Sequence, residues 1–239
     1  MEKRSILVEG LNRLGIAAEA ADIERLIKLK DILLEWNEKI NLTAITEEVD
    51  VYIKHFLDSA TCLLTNKFFE GANVIDVGTG AGFPGVPVKL LKKDIKLTLL
   101  DSLNKRITYL NDAAVKLGLE SVSMVHARAE EAGADKRYRE KYDIALSRAV
   151  AAMNVLTEYC MPFVRVGGFF LCQKGPGYAD EMNEAANAIK ILGGEVEEVK
   201  EYILPFSDIK HYIVVIKKIS ETPTKYPRKP GKPASDPIV

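Results

Sequence analysis

A carboxylate, a set of alternate glycines and a second carboxylate one strand later are the residues whose spacing implies chemistry in this sequence. In Asn73-Val-Ile-Asp-Val-Gly-Thr-Gly-Ala-Gly-Phe-Pro-Gly85, Val74, Ile75 and Val77 make the apolar end of a short strand, and Gly78, Gly80 and Gly82 let the chain turn sharply and approach a ligand closely. Pro84 suits the first turn of a following helix, where its missing N–H costs nothing. Such a turn offers free backbone N–H groups at the carboxyl edge of a sheet, where open α/β folds hold adenosine-containing cofactors. Gly80-Ala-Gly82-Phe-Pro-Gly85 also satisfies the literal dinucleotide pattern, so an NAD-dependent oxidoreductase is the rival reading. Asp76 argues against it, because a carboxylate at the strand end disfavours the pyrophosphate that a dinucleotide turn exists to hold. S-adenosyl-L-methionine carries a sulfonium and an ammonium but no phosphate, and fits Asp76, Gly78 and Gly80 better. The next strand ends in Asp101, a carboxylate suited to ribose hydroxyls.

Other strand ends point to the same edge. His126-Ala-Arg128-Ala129-Glu130 follows the third strand, where it either holds an adenine ring or is a charged surface loop. Arg148 ends the fourth, a strand otherwise buried on both faces, where a guanidinium is costly unless it meets a ligand or an anion. It is read as a positioning residue, bonded either to the cofactor carboxylate or to the acceptor. His55 and Asp58 stand three apart on one helical face, placed to anchor a loop at the site's edge, whereas Trp36 falls on an apolar stripe and reads as core. No metal site is implied, because His126 has no second histidine nearby and Cys62, Cys160 and Cys172 are unpaired in apolar surroundings. Neither Cys160 nor Cys172 has the setting of a nucleophile. Between Lys217 and Lys232 six basic residues, Lys217, Lys218, Lys225, Arg228, Lys229 and Lys232, stand against the single acid Glu221, with Pro223, Pro227, Pro230 and Pro233 keeping most of the segment extended. It is either a solvated tail or a phosphate-binding one, joined by Arg106, Arg137 and Arg139.

The elements that carry these residues follow from periodicity. Leu26, Leu29, Leu33, Trp36 and Ile40 step by three or four, as do Val49, Ile53, Phe56, Ala60 and Leu63, so residues 1–66 read as a helical cap. From residue 67 to 219 strands alternate with helices: strands at 74–77, 96–101, 122–126, 142–147 and 168–174, helices at 84–93, 104–117, 152–164 and 179–192. The last two strands, 196–204 and 211–219, are joined without a helix and so run antiparallel. The fold expected is α/β, doubly wound, with a mostly parallel seven-stranded sheet and a reversed C-terminal hairpin. That is the Rossmann-like arrangement of class I S-adenosylmethionine-dependent methyltransferases. Residues 220–239 form the basic Pro-rich tail. The 239 residues, 47% apolar and 28% charged with a net charge of −1, are those of an ordinary globular protein whose partners the total charge does not reveal. With neither an apolar leader nor a run of ~20 apolar residues, a cytoplasmic protein without membrane contact is expected.

Asp76 to Gly85, Asp101-Ser-Leu-Asn-Lys-Arg106, Ala129-Glu130 and Ser147-Arg-Ala-Val150 together resemble the small-subunit rRNA (guanine-N7)-methyltransferase G family, also called glucose-inhibited division protein B. Trp36-Asn37, Asn41-Leu-Thr-Ala44 and His55-Phe-Leu-Asp-Ser59 match as well, so the likeness runs from about residue 20 to 219. The resemblance implies that Gly78, Phe83, Ala129, Glu130 and Arg148 contact S-adenosyl-L-methionine. It also implies that the acceptor is N7 of guanine 527 in the 530 loop of 16S rRNA, on naked rRNA or the small ribosomal subunit. Lys225, Arg228, Lys229, Lys232 and His55 are the residues expected to meet RNA, and a monomer is expected. The motifs hold the cofactor and leave open a different RNA or a small molecule as acceptor. Guanine N7 presents an in-plane lone pair with no proton to remove, so alignment would take the place of a general base.

Overall fold

The computed structural model describes residues 3–239. Seven strands form one sheet in the order β3-β2-β1-β4-β5-β7-β6. Strands β1 (Asn73–Val77), β2 (Lys96–Asp101), β3 (Val122–His126), β4 (Tyr142–Arg148) and β5 (Val164–Lys174) run parallel. Strands β6 (Gly194–Ile203) and β7 (Lys210–Lys218) form the reversed hairpin, β7 pairing antiparallel with both β5 and β6. Chain order reverses between β1 and β4, which makes their carboxyl ends the topological switch point where open α/β sheets place ligands. Val74, Ile75 and Val77 are buried on both faces of the sheet, the reason their run is apolar without alternation.

Each face of the sheet carries its own apolar layer. On one side lie the cap helices α1 (Lys3–Arg13) and α2 (Ala20–Ile40), a continuous helical segment over 48–65, α5 (Gly85–Leu91) and α6 (Asn104–Leu117). The segment over 48–65 consists of α3 (Glu48–Asp50), a π-helical stretch Val51–Leu57, α4 (Asp58–Ala60) and a 3-10 turn Thr61–Thr65. On the other side lie α7 (Ala129–Ala134), α8 (Met153–Cys160) and α9 (Tyr178–Ile191). Trp36 packs against the core as expected, its Nε1 donating to Asp112 on α6 at 2.7 Å and its ring standing edge-on to Tyr109.

Two expectations are corrected. The helix expected to reach residue 164 ends at Cys160, because a 3-10 turn containing Pro162 breaks it and Val164 already pairs with Tyr142. The strand begins earlier, its pairing with β4 shifts register between Tyr142 and Ile144, and at Gly168 the backbones come so close that a Cβ would meet the Asp143 carbonyl oxygen at 2.6 Å. The tail is neither extended nor solvated throughout. Tyr226 and Pro233 are buried, α10 (Lys232–Ser235) forms within it, and Ile238 packs on the second apolar layer. Apolar contact and carbonyl groups met by Arg139 outweigh the extended preference of its prolines.

Candidate functional site

The turn after β1 is held from beneath by Asp76. This carboxylate is fully buried, and its Oδ2 accepts from Thr79 Oγ1 at 2.7 Å and from the Gly85 N–H at 2.8 Å. Burial pushes its pKa up to about 6, and Oδ1 has no hydrogen-bond partner. Asp76 lines none of the cavities at the switch point, so the expected direct contact with a cofactor is corrected: it clamps from within the loop whose Gly78 and Gly80 line them. Gly80 has φ +60°, and a Cβ there would meet nothing nearer than the Gly78 carbonyl oxygen at 4.0 Å. Its missing side chain therefore leaves open a cradle in the cavity wall.

Asp101 ties this turn to the next strand. Its Oδ2 accepts from the Gly80 N–H at 2.9 Å and from Arg106 at 3.2 Å, and its Oδ1 from the Leu103 N–H at 2.8 Å. It stands between two cavities. One, of about 240 Å³, is lined by Asp101, Arg128, Ala129, Glu130 and Tyr159 among others. The other, of about 380 Å³, is lined by Gly80, Phe83, His55, Arg148 and Arg106 among others. Gly78, Asp101, Ser102 and Val150 belong to both, so the two make one groove along the carboxyl edge.

Arg148 reaches across to the cap. Its Nη1 donates to Asp58 Oδ2 at 2.6 Å and to the Lys54 carbonyl at 3.2 Å, and its Nη2 to His55 Nδ1 at 3.2 Å. Nδ1 of His55 is thus an acceptor, and Nε2–H donates to Thr43 Oγ1 at 2.9 Å, anchoring the loop after α2 as its position suggested. The imidazole also stacks on Phe83 at 4.6 Å. Burial, aided by the Arg148 charge, pushes its pKa down to about 4, so the ring is neutral. His55 is buried with both nitrogens engaged, which corrects its expected role as an RNA contact to that of a support. Burial alone would raise the pKa of Asp58, but the hydrogen bond from His211 Nδ1 at 2.7 Å and the Arg148 charge hold it below the usual carboxylate range. A third cavity, of about 510 Å³, shares His55, Arg148 and Ala149 with the groove and extends over Gln173, Leu204, Ile209 and His211.

The basic residues of the tail divide. Arg228 forms a bidentate pair with the buried Glu158, at 3.0 and 2.6 Å, so this expected RNA contact is committed within the chain, whereas Lys232 stays exposed and makes only a surface pair with Asp236 at 2.6 Å. Lys218 is buried against the Met161 carbonyl and Glu140, and Arg139 clamps the carbonyls of Thr222 and Tyr226. Lys225, which lies over its neighbour Tyr226, and Lys229 are exposed. Glu130, implied by the resemblance as a cofactor contact, accepts the Gly231 N–H at 2.9 Å. Gly231 and Ala234 line the 240 Å³ cavity, as does Tyr159. Nothing in the sequence pointed to these three or to His211, because no local pattern carries a contact made across the fold.

Among the described residues no group of three or more His, Cys, Asp or Glu is placed to hold a metal ion, and no helix is long and apolar enough to cross a membrane. The solved structure of precorrin-6y C5,15-methyltransferase from Geobacter metallireducens is similar with a TM-score of 0.52 at 14% identity, over 75% of this chain and 91% of that one. Geranyl diphosphate C-methyltransferase from Streptomyces coelicolor gives 0.53 at 12%, over 80% and 98%. These likenesses establish the fold as the class I S-adenosylmethionine-dependent methyltransferase arrangement. A model of the family described as rRNA small subunit methyltransferase G, GidB, matches residues 22–210. The proteins named ribosomal RNA small subunit methyltransferase G in Alkaliphilus metalliredigens and Alkaliphilus oremlandii are 56% and 59% identical over the full length of both chains. Matched by that family model over 22–210 and by full-length relatives at 56% and 59% identity, the chain belongs to the rRNA small subunit methyltransferase G family.

Proposed function

We propose that this protein transfers a methyl group from S-adenosyl-L-methionine to N7 of a guanine in the 530 loop of 16S rRNA, guanine 527 by the family's numbering. The observation that carries the reading is the continuity of the groove. Its two cavities meet at Gly78, Asp101, Ser102 and Val150, as one elongated ligand with a ribose in its middle requires. The residues present suit that cofactor. Ala129, Glu130 and Tyr159 would hold the adenine end, Asp101 the ribose, and Gly78 and Gly80 the amino-acid end, where the absent Cβ of Gly80 leaves the room. When bound, the cofactor supplies an electrophilic methyl group on a sulfonium centre.

The chain's own part is orientation. Phe83, fixed by His55 and Arg148, lines the groove beside the 510 Å³ cavity, which we assign to the acceptor base. His55 is neutral with both nitrogens bonded, so it neither takes nor gives a proton, and N7 needs none removed. Holding two reactants in attack geometry lowers a barrier by up to about 7–11 kcal/mol without any proton transfer. Lys225, Lys229 and Lys232, all exposed, are the tail cations available to RNA phosphates. The test is methyl incorporation from labelled cofactor into naked 16S rRNA and into small subunits that lack the modification, with the methylated nucleotide mapped. Label at N7 of a single guanine of the 530 loop is expected. Label elsewhere, or none on either substrate, would overturn the assignment of the acceptor.

A further inference from the structure

The tail sits where a cofactor would be covered. Gly231 and Ala234 line the same cavity as Asp101, Ala129 and Glu130, and the Gly231 N–H is donated to the Glu130 carboxylate at 2.9 Å. Its approach is fixed by anchors spaced along the segment. Arg139 grips the Thr222 and Tyr226 carbonyls at 2.6 and 2.8 Å, Arg228 makes its bidentate pair with Glu158, and the Val239 carbonyl accepts from Asn187 Nδ2 at 2.7 Å. Glu158 is nearly inaccessible to solvent, so this pair is tighter and less screened than an ion pair on the surface. It also stands next to Tyr159, another wall residue of that cavity, so one turn of α8 both anchors the tail and faces the ligand. A segment needed only to offer charge to RNA would not bury Tyr226 and Pro233 or commit Arg228 to an internal carboxylate.

We infer that residues 231–234 are part of the S-adenosyl-L-methionine site, forming the outer wall over its adenosine end. This rests on the cofactor reading above and adds that the docked tail and the bound cofactor stabilise one another. Because binding linkage is reciprocal, whatever fills the cavity against the tail must hold the tail in place by the same factor.

The experiment is calorimetric titration of the full chain with S-adenosyl-L-methionine, beside Ala234→Trp and Ser235→Trp. Both positions are exposed on the same short helix, so neither variant disturbs the core, but Ala234 alone of the two lines the cavity. Ala234→Trp should weaken binding by about tenfold or more, while Ser235→Trp stays within about twofold of the parent. Trypsin provides a second readout, since Lys225 and Arg228 are cleavable sites within the tail. Cofactor should slow cleavage there in the parent chain and not in Ala234→Trp at the same concentration. Equal affinities for parent and Ala234→Trp, with cleavage in the tail indifferent to cofactor, would overturn the inference and leave the cofactor reading intact. Absence of binding to the parent chain would overturn the cofactor reading itself.

Discussion

Replacing Arg148 by alanine should damage stability as well as methyl transfer, and the size of the damage follows from what the guanidinium holds. Its side chain is 14% exposed and that of Asp58 3%, and three of its five N–H groups are committed to Asp58, His55 and the Lys54 carbonyl. Removing one partner of a buried pair costs about 3–5 kcal/mol. Asp58 would keep the hydrogen bonds from His211 and from the Tyr202 hydroxyl at 3.2 Å, which puts the expected cost near the lower end, about 3 kcal/mol. For a domain of this length that corresponds to a fall in Tm of roughly 6–12 °C. Thermal unfolding of Arg148→Ala, Asp58→Asn and the double variant measures it, because removing both charges leaves no carboxylate unpaired and the double variant should lose less than the sum of the singles. A fall of less than about 1 °C for Arg148→Ala, or strict additivity, would refute the network. Cofactor affinity measured on the same samples shows whether the remaining N–H groups also serve the ligand, since losing one charged hydrogen bond costs about 1.5–3 kcal/mol.

Gly80→Val should abolish cofactor binding by calorimetry while costing only about 1–2 kcal/mol in stability, the strain of a side chain at φ +60°; unchanged binding would refute the cradle. His55 and Asp76 should give opposite acid responses. The unfolded histidine protonates at its ordinary 6.5 but the folded one only near 4, so its contribution falls by about 3 kcal/mol as pH drops between those values. Asp76 takes its proton near 6 when folded and at 3.8 when not, so its contribution rises by about 3 kcal/mol as pH drops from 6 to 3.8. Urea unfolding at pH 7 and 4.5 should therefore show the deficit of His55→Gln narrowing with acid and that of Asp76→Asn widening. Deficits that do not change with pH would contradict both shifts. Replacing Lys225 or Lys229 by glutamine should lower the slope of log K against log salt for RNA binding by roughly 0.7–0.9 each if each meets a phosphate; an unchanged slope would remove them from the interface.

The elements that place the groove were legible because their signals are local. The apolar run Lys96–Asp101, the helix Asn104–Leu117 closed by Gly118 in a left-handed C-cap, and the strand Val122–His126 lie where periodicity and the stop residue put them. The tail was not legible. Its prolines and lysines read as an extended segment, either solvated or phosphate-binding, whereas its docking depends on Glu158 and Glu130, 70 and 101 positions earlier. Nor does any local pattern announce the π-helical stretch Val51–Leu57 that carries His55. Asp76 shows a different limit, since the expected cofactor contact gives way to an internal one: its Oδ2 is taken by the Thr79 hydroxyl and the Gly85 amide within the turn it ends.

Asp58 shows why the cap and the sheet act as one piece at this site. Its carboxylate receives Arg148 from β4, Tyr202 from β6 and His211 from β7, and its carbonyl receives Gln173 from β5, so four strands converge on one residue of the cap. Such a buried charge is a poor way to gain stability, because apolar residues of similar volume usually do as well or better. What it provides is direction. With Arg148 held by Asp58, His55 is held by Arg148 and Phe83 by the stack on His55, and these groups stand where the groove meets the 510 Å³ cavity. None of the three is left as a proton acceptor: the guanidinium only donates, the imidazole nitrogens are both engaged, and the phenyl ring has none to offer. A cluster so built orients what lies against it and does no acid–base work, which fits the acceptor proposed above, a guanine N7 with no proton to lose.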